Sequence, residues 1–202
     1  MNARADLPFG ARRLPNVLSG LRLLAVPVLA VLAARHQENA FAWLLIAALL
    51  TDVADGWIAR AWSLESQLGA RLDSLADTAL MFVAVYGIWV FHREVMADHA
   101  ISCSLAVGLW VLENLLALLR YGRLSSFHTY LSKIAANALG FFVGVLFVFG
   151  FRPWLFQLAI WTTILASLEE LALLALLDEW RADVQGLWWV LSERRASRRI
   201  SA

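Results

Sequence analysis

The chain has 202 residues, of which 61% are hydrophobic and 16% charged, against about a quarter charged in soluble domains. Ten Trp, eleven Phe and a mean hydropathy of +0.66 exclude a disordered chain, a disulfide-stapled secreted module and an ordinary soluble enzyme. With the single cysteine Cys103 there is no internal disulfide or thiolate cluster. Seventeen basic against sixteen acidic residues leave a net charge of +1, too balanced for a nucleic-acid partner, so the composition is that of a membrane protein.

Residues 1–16, with Arg4, Arg12 and Arg13, read as a cytoplasmic or interfacial N-terminal segment. Basic residues before an apolar stretch ending in Leu32-Ala33-Ala34 also allow a secretory leader, but the charge pattern described next needs no cleavage. Apolar runs long enough to cross about 30 Å of hydrocarbon as helices follow at 17–34, 40–61, 70–91, 100–119, 132–151 and 154–177. The polar breaks at 35–39, 92–99, 120–128 and 152–153 are short, which makes neighbouring helices antiparallel. The expected fold is therefore all-α, an integral membrane bundle of six transmembrane helices filling 17–178. Residues 179–202 form a basic tail in which Leu187-Trp188-Trp189-Val190-Leu191, beside four arginines, suggests an amphipathic helix on the membrane surface. With both termini in the cytoplasm, fourteen basic residues fall on that side and only Arg35, Arg93 and Arg152 on the other.

Ionisable residues inside spans are costly and mark function by default. The second and third spans hold Asp52, Asp55, Arg60, Arg71, Asp73 and Asp77. Asp52 and Asp55 are three apart and Asp73 and Asp77 four apart, so each pair shares a helix face. The turn around 63–67 brings both pairs to one end of an antiparallel hairpin, and four carboxylates can converge on one pocket. Such a cluster is relieved by protonation or by divalent cations, and an all-oxygen set suits magnesium, manganese or calcium. Magnesium bridges carboxylates to phosphates, Gly56 and Gly69 allow close backbone approach, and Arg60 offers a planar cation for phosphate oxygens. The alternative is a helix-packing network in which the acids pair with Arg22, Arg60 and Arg71.

The stretch Asp52-x-x-Asp55-Gly56-x-x-Ala59-Arg60, eight residues, then Gly69-x-x-x-Asp73-x-x-x-Asp77 resembles the signature of the CDP-alcohol phosphotransferases at all eight fixed positions and every spacing. The six spans are similar to that family's core, and Leu14-Pro15-Asn16-Val17-Leu18 with Arg22 and Pro27 is similar to the start of many bacterial members. The resemblance implies that Asp52, Asp55, Asp73 and Asp77 hold two divalent cations, magnesium or manganese. It implies that Gly56, Ala59 and Gly69 line the CDP site with Asp73, that Arg60 meets phosphate, and that Asp77 is the catalytic base for the acceptor hydroxyl. It further implies a CDP-linked lipid donor such as CDP-diacylglycerol, a small polar alcohol as acceptor, release of CMP, and a homodimer among membrane lipids.

For the acceptor, Arg120, Arg123, His128 and Lys133 cluster near the same face and suit a phosphorylated alcohol, glycerol 3-phosphate or an inositol phosphate; contact with anionic lipid headgroups is the competing role. Glycerol 3-phosphate leads and makes the chain similar to phosphatidylglycerophosphate synthases, although Thr78 stands where those usually carry lysine and Phe127-His128-Thr129-Tyr130 departs from their loop. Serine is a further alternative. Glu113, Asn114, Glu169 and Glu170 read as structural, with Glu113 able to reach Arg120 two turns on, and Trp43, Trp89, Trp154 and Trp188 as interface anchors. An intramembrane prenyltransferase resembles a longer chain with well-separated Asp motifs, whereas here both pairs lie within 52–77. A cation transporter needs polar residues continuing outward, and 79–90 offers only Tyr86 and Gly87.

Overall fold

The computed structural model describes residues 14–62, 67–122, 129–177 and 184–200, and the side chains within them except at 14–16, 52–71, 74 and 194–200. The described residues form eight helices and no strand: α1 (Leu14–Ala34), α2 (Glu38–Trp62), α3 (Gln67–Phe91), α4 (Arg93–Asp98), α5 (Ala100–Tyr121), α6 (Tyr130–Phe149), α7 (Pro153–Leu176) and α8 (Leu187–Ile200). The six expected spans coincide with α1, α2, α3, α5, α6 and α7 to within a few residues, while α4 is a short helix where the sequence suggested only a link. Residues 17–34 of α1 and the whole of α5, α6 and α7 are long and apolar enough to cross a membrane; the apolar stretches described in α2 and α3 are the shorter Glu38–Thr51 and Leu75–Phe91. The chain is an all-α integral membrane protein. Residues 1–13, most of the expected N-terminal segment, lie outside the described residues.

The helices form two compact units, Met1–Ala97 and Asp98–Ala202. In the first, α1 packs against both α2 and α3. Between helices in a bilayer there is little hydrophobic driving force, so close van der Waals fit and small residues decide the packing. On α3 the buried residues Ala76, Leu80, Val83, Ala84 and Gly87 recur every three or four positions and define one stripe. α2 contributes Phe41, Ala42, Leu45 and Ala48, again at helical spacing and all buried. Phe41 is seated against Gly87: a Cβ there would stand 2.2 Å from the ring's Cζ, so only glycine admits the ring. Phe91 backs it with ring centroids 5.4 Å apart. At this end His92 lies between Glu38, 3.5 Å away, and Glu94, 3.8 Å away, and Arg93 covers the Trp89 ring.

In the second unit α7 packs against α5, α6 and α8. One end is aromatic, with His99 stacked on Phe156 at 4.4 Å and Phe142 edge-on to both Phe151 and Phe156. At the other end Ala117, Leu173, Leu174, Leu177 and Val190 form one apolar cluster across α5, α7 and α8. The last carbonyls of a helix have no partner inside it, and α5 supplies two donors to those of α7: Arg120 Nη1 to the Leu174 carbonyl and Tyr121 Oη, at 2.6 Å, to that of Leu177. The start of α8 is held by α7 in turn, since Glu169 Oε1 accepts the Leu187 N–H at 3.0 Å. Thr129 caps α6 by accepting from the Ser132 N–H. Trp43, Trp89, Trp154 and Trp188 are all exposed, as interfacial anchors must be.

Gly87→Ala forces a methyl into the Phe41 ring. It is expected to destabilise the protein by about 1–3 kcal/mol, as overpacked cores do, with Phe41→Leu in the same chain recovering part of the loss. Thermal unfolding in detergent measures both.

Candidate active site

The α3 stripe does not end at Ala76. The same helical spacing takes in Asp77 beside Ala76 and reaches Asp73 one turn nearer the N-terminus, so the face that packs on α1 is apolar for three turns and then acidic. α1 matches it. Leu29 and Ala33 are buried on its packing face, and the same face continues to Arg22 and Ser19.

Arg22 is 2% exposed and its side chain is wholly covered. Its Nη1 donates to Asp73 Oδ1 at 3.0 Å and to Asp77 Oδ1 at 2.7 Å. Ser19 Oγ, one turn away, donates to the same Asp73 oxygen at 3.3 Å. Two carboxylates four residues apart on a helix repel each other, and one guanidinium placed between them removes that repulsion through charge-assisted hydrogen bonds. The anions are not covered as the cation is: the Asp73 and Asp77 side chains are 43% and 48% exposed.

The structure thus brings together Asp73 and Asp77. For the others the helix register alone is described. Positions 52, 55, 56 and 59 fall on one face of the last turns of α2, Arg60 follows, and Gly69 lies in the first turn of α3; the side chains of Asp52, Asp55, Ala59, Arg60 and Arg71 are outside the described set. Among the described side chains no group of three or more metal-ligating residues forms. Asp73 and Asp77 are two, and their half-exposed, all-oxygen donors are of the kind a hard divalent cation takes.

Of the acceptor candidates, Arg123 and His128 lie outside the described residues. Arg120 has one N–H on the Leu174 carbonyl and its guanidinium over the Tyr121 ring. Lys133 is exposed on α6, with Nζ 6.0 Å from the Tyr130 ring centroid. Glu113 is buried beside Ser167, which hydrogen-bonds to it, and Glu170 of α7.

Sequence reasoning named Arg22 as a packing partner of the acids and as part of the N-terminal resemblance, and passed over Ser19. The signal was present: an arginine five residues inside an apolar run is an ionisable group in a span, and such groups are functional candidates. What the linear sequence lacks is which acids it meets, more than fifty residues away.

A family model described as CDP-alcohol phosphatidyltransferase matches residues 12–168. A CDP-diacylglycerol–glycerol-3-phosphate 3-phosphatidyltransferase of Cereibacter sphaeroides is 42% identical over 76 residues, 36% of this chain and 34% of that protein. A protein of the same name from Rickettsia typhi is 29% identical over 137 residues, 63% of this chain and 76% of that protein. The human cardiolipin synthase (CMP-forming) is 41% identical over 71 residues, 35% of this chain and 24% of that protein. The chain therefore spans about a third of the Cereibacter protein's length and three-quarters of the Rickettsia one. No solved structure matches it.

Because Arg120 and Tyr121 hold the end of α7, Arg120→Met is expected to lower the unfolding temperature more than Lys133→Met, whose side chain is exposed. Tyr121→Phe should cost about 1 kcal/mol, the worth of one hydrogen bond. Thermal unfolding of the three variants in one detergent checks the order.

Proposed function

Because this chain belongs to the CDP-alcohol phosphatidyltransferase family, we propose that it moves the phosphatidyl group of CDP-diacylglycerol to the hydroxyl of glycerol 3-phosphate and releases CMP. The observation that carries the reading is the pair of half-exposed carboxylates, Asp73 and Asp77, at the polar end of an otherwise apolar packing face. The relatives from Cereibacter and Rickettsia named for this reaction support the donor and the acceptor. The relatives named cardiolipin synthase (CMP-forming) favour a second reading, the same CMP-releasing chemistry with another alcohol as acceptor.

In the reaction the acceptor oxygen bonds to the lipid-bearing phosphorus, the bond from that phosphorus to the bridging oxygen breaks, and CMP leaves with that oxygen. Asp77 takes the proton of the attacking hydroxyl, a role its half-exposed carboxylate is open to. Asp52, Asp55, Asp73 and Asp77 would hold two divalent cations, magnesium or manganese, which when bound neutralise the diphosphate and stabilise the departing CMP. Gly56, Ala59 and Gly69 would let the nucleotide approach the backbone, and Arg60 would meet a phosphate. Arg120, Arg123, His128 and Lys133 would hold the acceptor's phosphate. The distribution of basic residues supports both termini and the site on the cytoplasmic side, and the family resemblance supports a homodimer.

CMP release from CDP-diacylglycerol by the detergent-purified protein tests this, with glycerol 3-phosphate, inositol phosphate and serine offered in parallel. CMP is expected with glycerol 3-phosphate, to stop with a chelator and to return with magnesium or manganese. Asp77→Asn should lower kcat at least about 100-fold, the scale of a lost general base. CMP formation that ignores the acceptor, or survives in Asp77→Asn, overturns the reading.

A further inference from the structure

We propose that Arg22 is a positioning residue for the acidic site: from α1 it fixes the carboxylates of Asp73 and Asp77 in the orientation the reaction uses, with Ser19 assisting at Asp73. This rests on the reading of Asp73 and Asp77 as working groups of the transferase.

The asymmetry of burial separates this role from simple helix packing. An ion pair that serves only to join two helices tends to cover both partners. Here the cation is covered completely while both anions keep nearly half their surface open. Arg22 stands behind the carboxylates, and they face outward. Arg22 Nη1 and Ser19 Oγ address Oδ1 atoms, so α1 holds each carboxylate at a named oxygen.

Stability alone gives no reason for charge at this point. The same faces of α1 and α3 otherwise carry buried Leu29, Ala33, Ala76, Leu80 and Val83. Extending that apolar seam by one more turn would hold the helices together as well, since buried ion pairs are commonly replaced by apolar residues without loss of stability. A half-exposed aspartate, by contrast, is free to rotate between rotamers unless something holds it. A reacting group misplaced by about 1 Å can lose about 100-fold in rate, so a fixed backing cation gains turnover rather than stability.

The test compares Arg22→Gln, Arg22→Lys and Ser19→Ala with wild type, each shown to be folded by thermal unfolding in detergent. Arg22→Gln is expected to lower kcat by at least about 30-fold with KM for CDP-diacylglycerol within about threefold, because alignment and not donor binding is lost. Arg22→Lys, which keeps the charge but not the planar fork, should fall only about three- to tenfold, and Ser19→Ala by less. Mn2+ bound to the protein gives a readout apart from turnover: its electron paramagnetic resonance spectrum should broaden in Arg22→Gln as the carboxylates lose their common orientation.

A folded Arg22→Gln protein with wild-type kcat and an unchanged Mn2+ spectrum overturns the positioning role while leaving the transferase reading intact. Should Arg22→Gln fail to fold, Arg22→Lys decides, and wild-type kcat in that variant overturns the role. Wild-type protein that neither releases CMP nor binds Mn2+ overturns the transferase reading and the positioning role together.

Discussion

A guanidinium that is wholly covered, eight residues inside a membrane-crossing helix, is stable only if anions meet it there. This single requirement orders the first unit. Arg22 fixes which face of α1 turns toward α3, because only one face of α3 carries acids at the right level. Once those groups are engaged, the apolar residues that recur along the same two faces fall into contact without further instruction. Charge selects the pairing of the helices, and van der Waals fit completes it.

The second unit solves a different problem. Lipid cannot hydrogen-bond the loose backbone groups at helix ends, so they must be satisfied by protein. Arg120 and Tyr121 close the end of α7, Glu169 of α7 receives the first N–H of α8, and the Gln185 carbonyl receives the Tyr130 N–H of α6. Polar contacts thus tie α5, α6 and α7 to one another and to α8 or the residues before it at one end, and the rings of His99, Phe142, Phe151 and Phe156 join the other ends of α5, α6 and α7.

The spans were legible because crossing hydrocarbon imposes a length and composition that few other constraints mimic, and the acidic motif because ionisable groups stand out against such a background. Arg22 was legible as one of three arginines that could pair with the acids, but not which acids it meets, since a contact across more than fifty residues depends on how α1 is rotated. Glu169 shows the same limit: its position on a helix is evident, its role as the cap of α8 is not. Gly87 had no mark at all. Gly20, Gly108 and Gly144 look the same in the sequence and have open space where a Cβ would stand. Short α4 was missed because six residues are too few to show a period.

The Phe41 ring in its glycine notch also acts as a ruler. From that point α2 runs forward and α3 backward along the chain toward the ends they turn to each other in sequence, Trp62 and Gln67. About three turns along, α2 reaches Asp52 and α3 reaches Asp77; about four turns along, they reach Asp55 and Asp73. Counting from the notch therefore brings positions 55 and 73 level in depth, and positions 52 and 77 to within one residue. A slip of one residue at the ring would offset the pairs by about 1.5 Å without altering any acid. The relative depth of the four acidic positions is thus set at the far end of the two helices, by the absence of one methyl group.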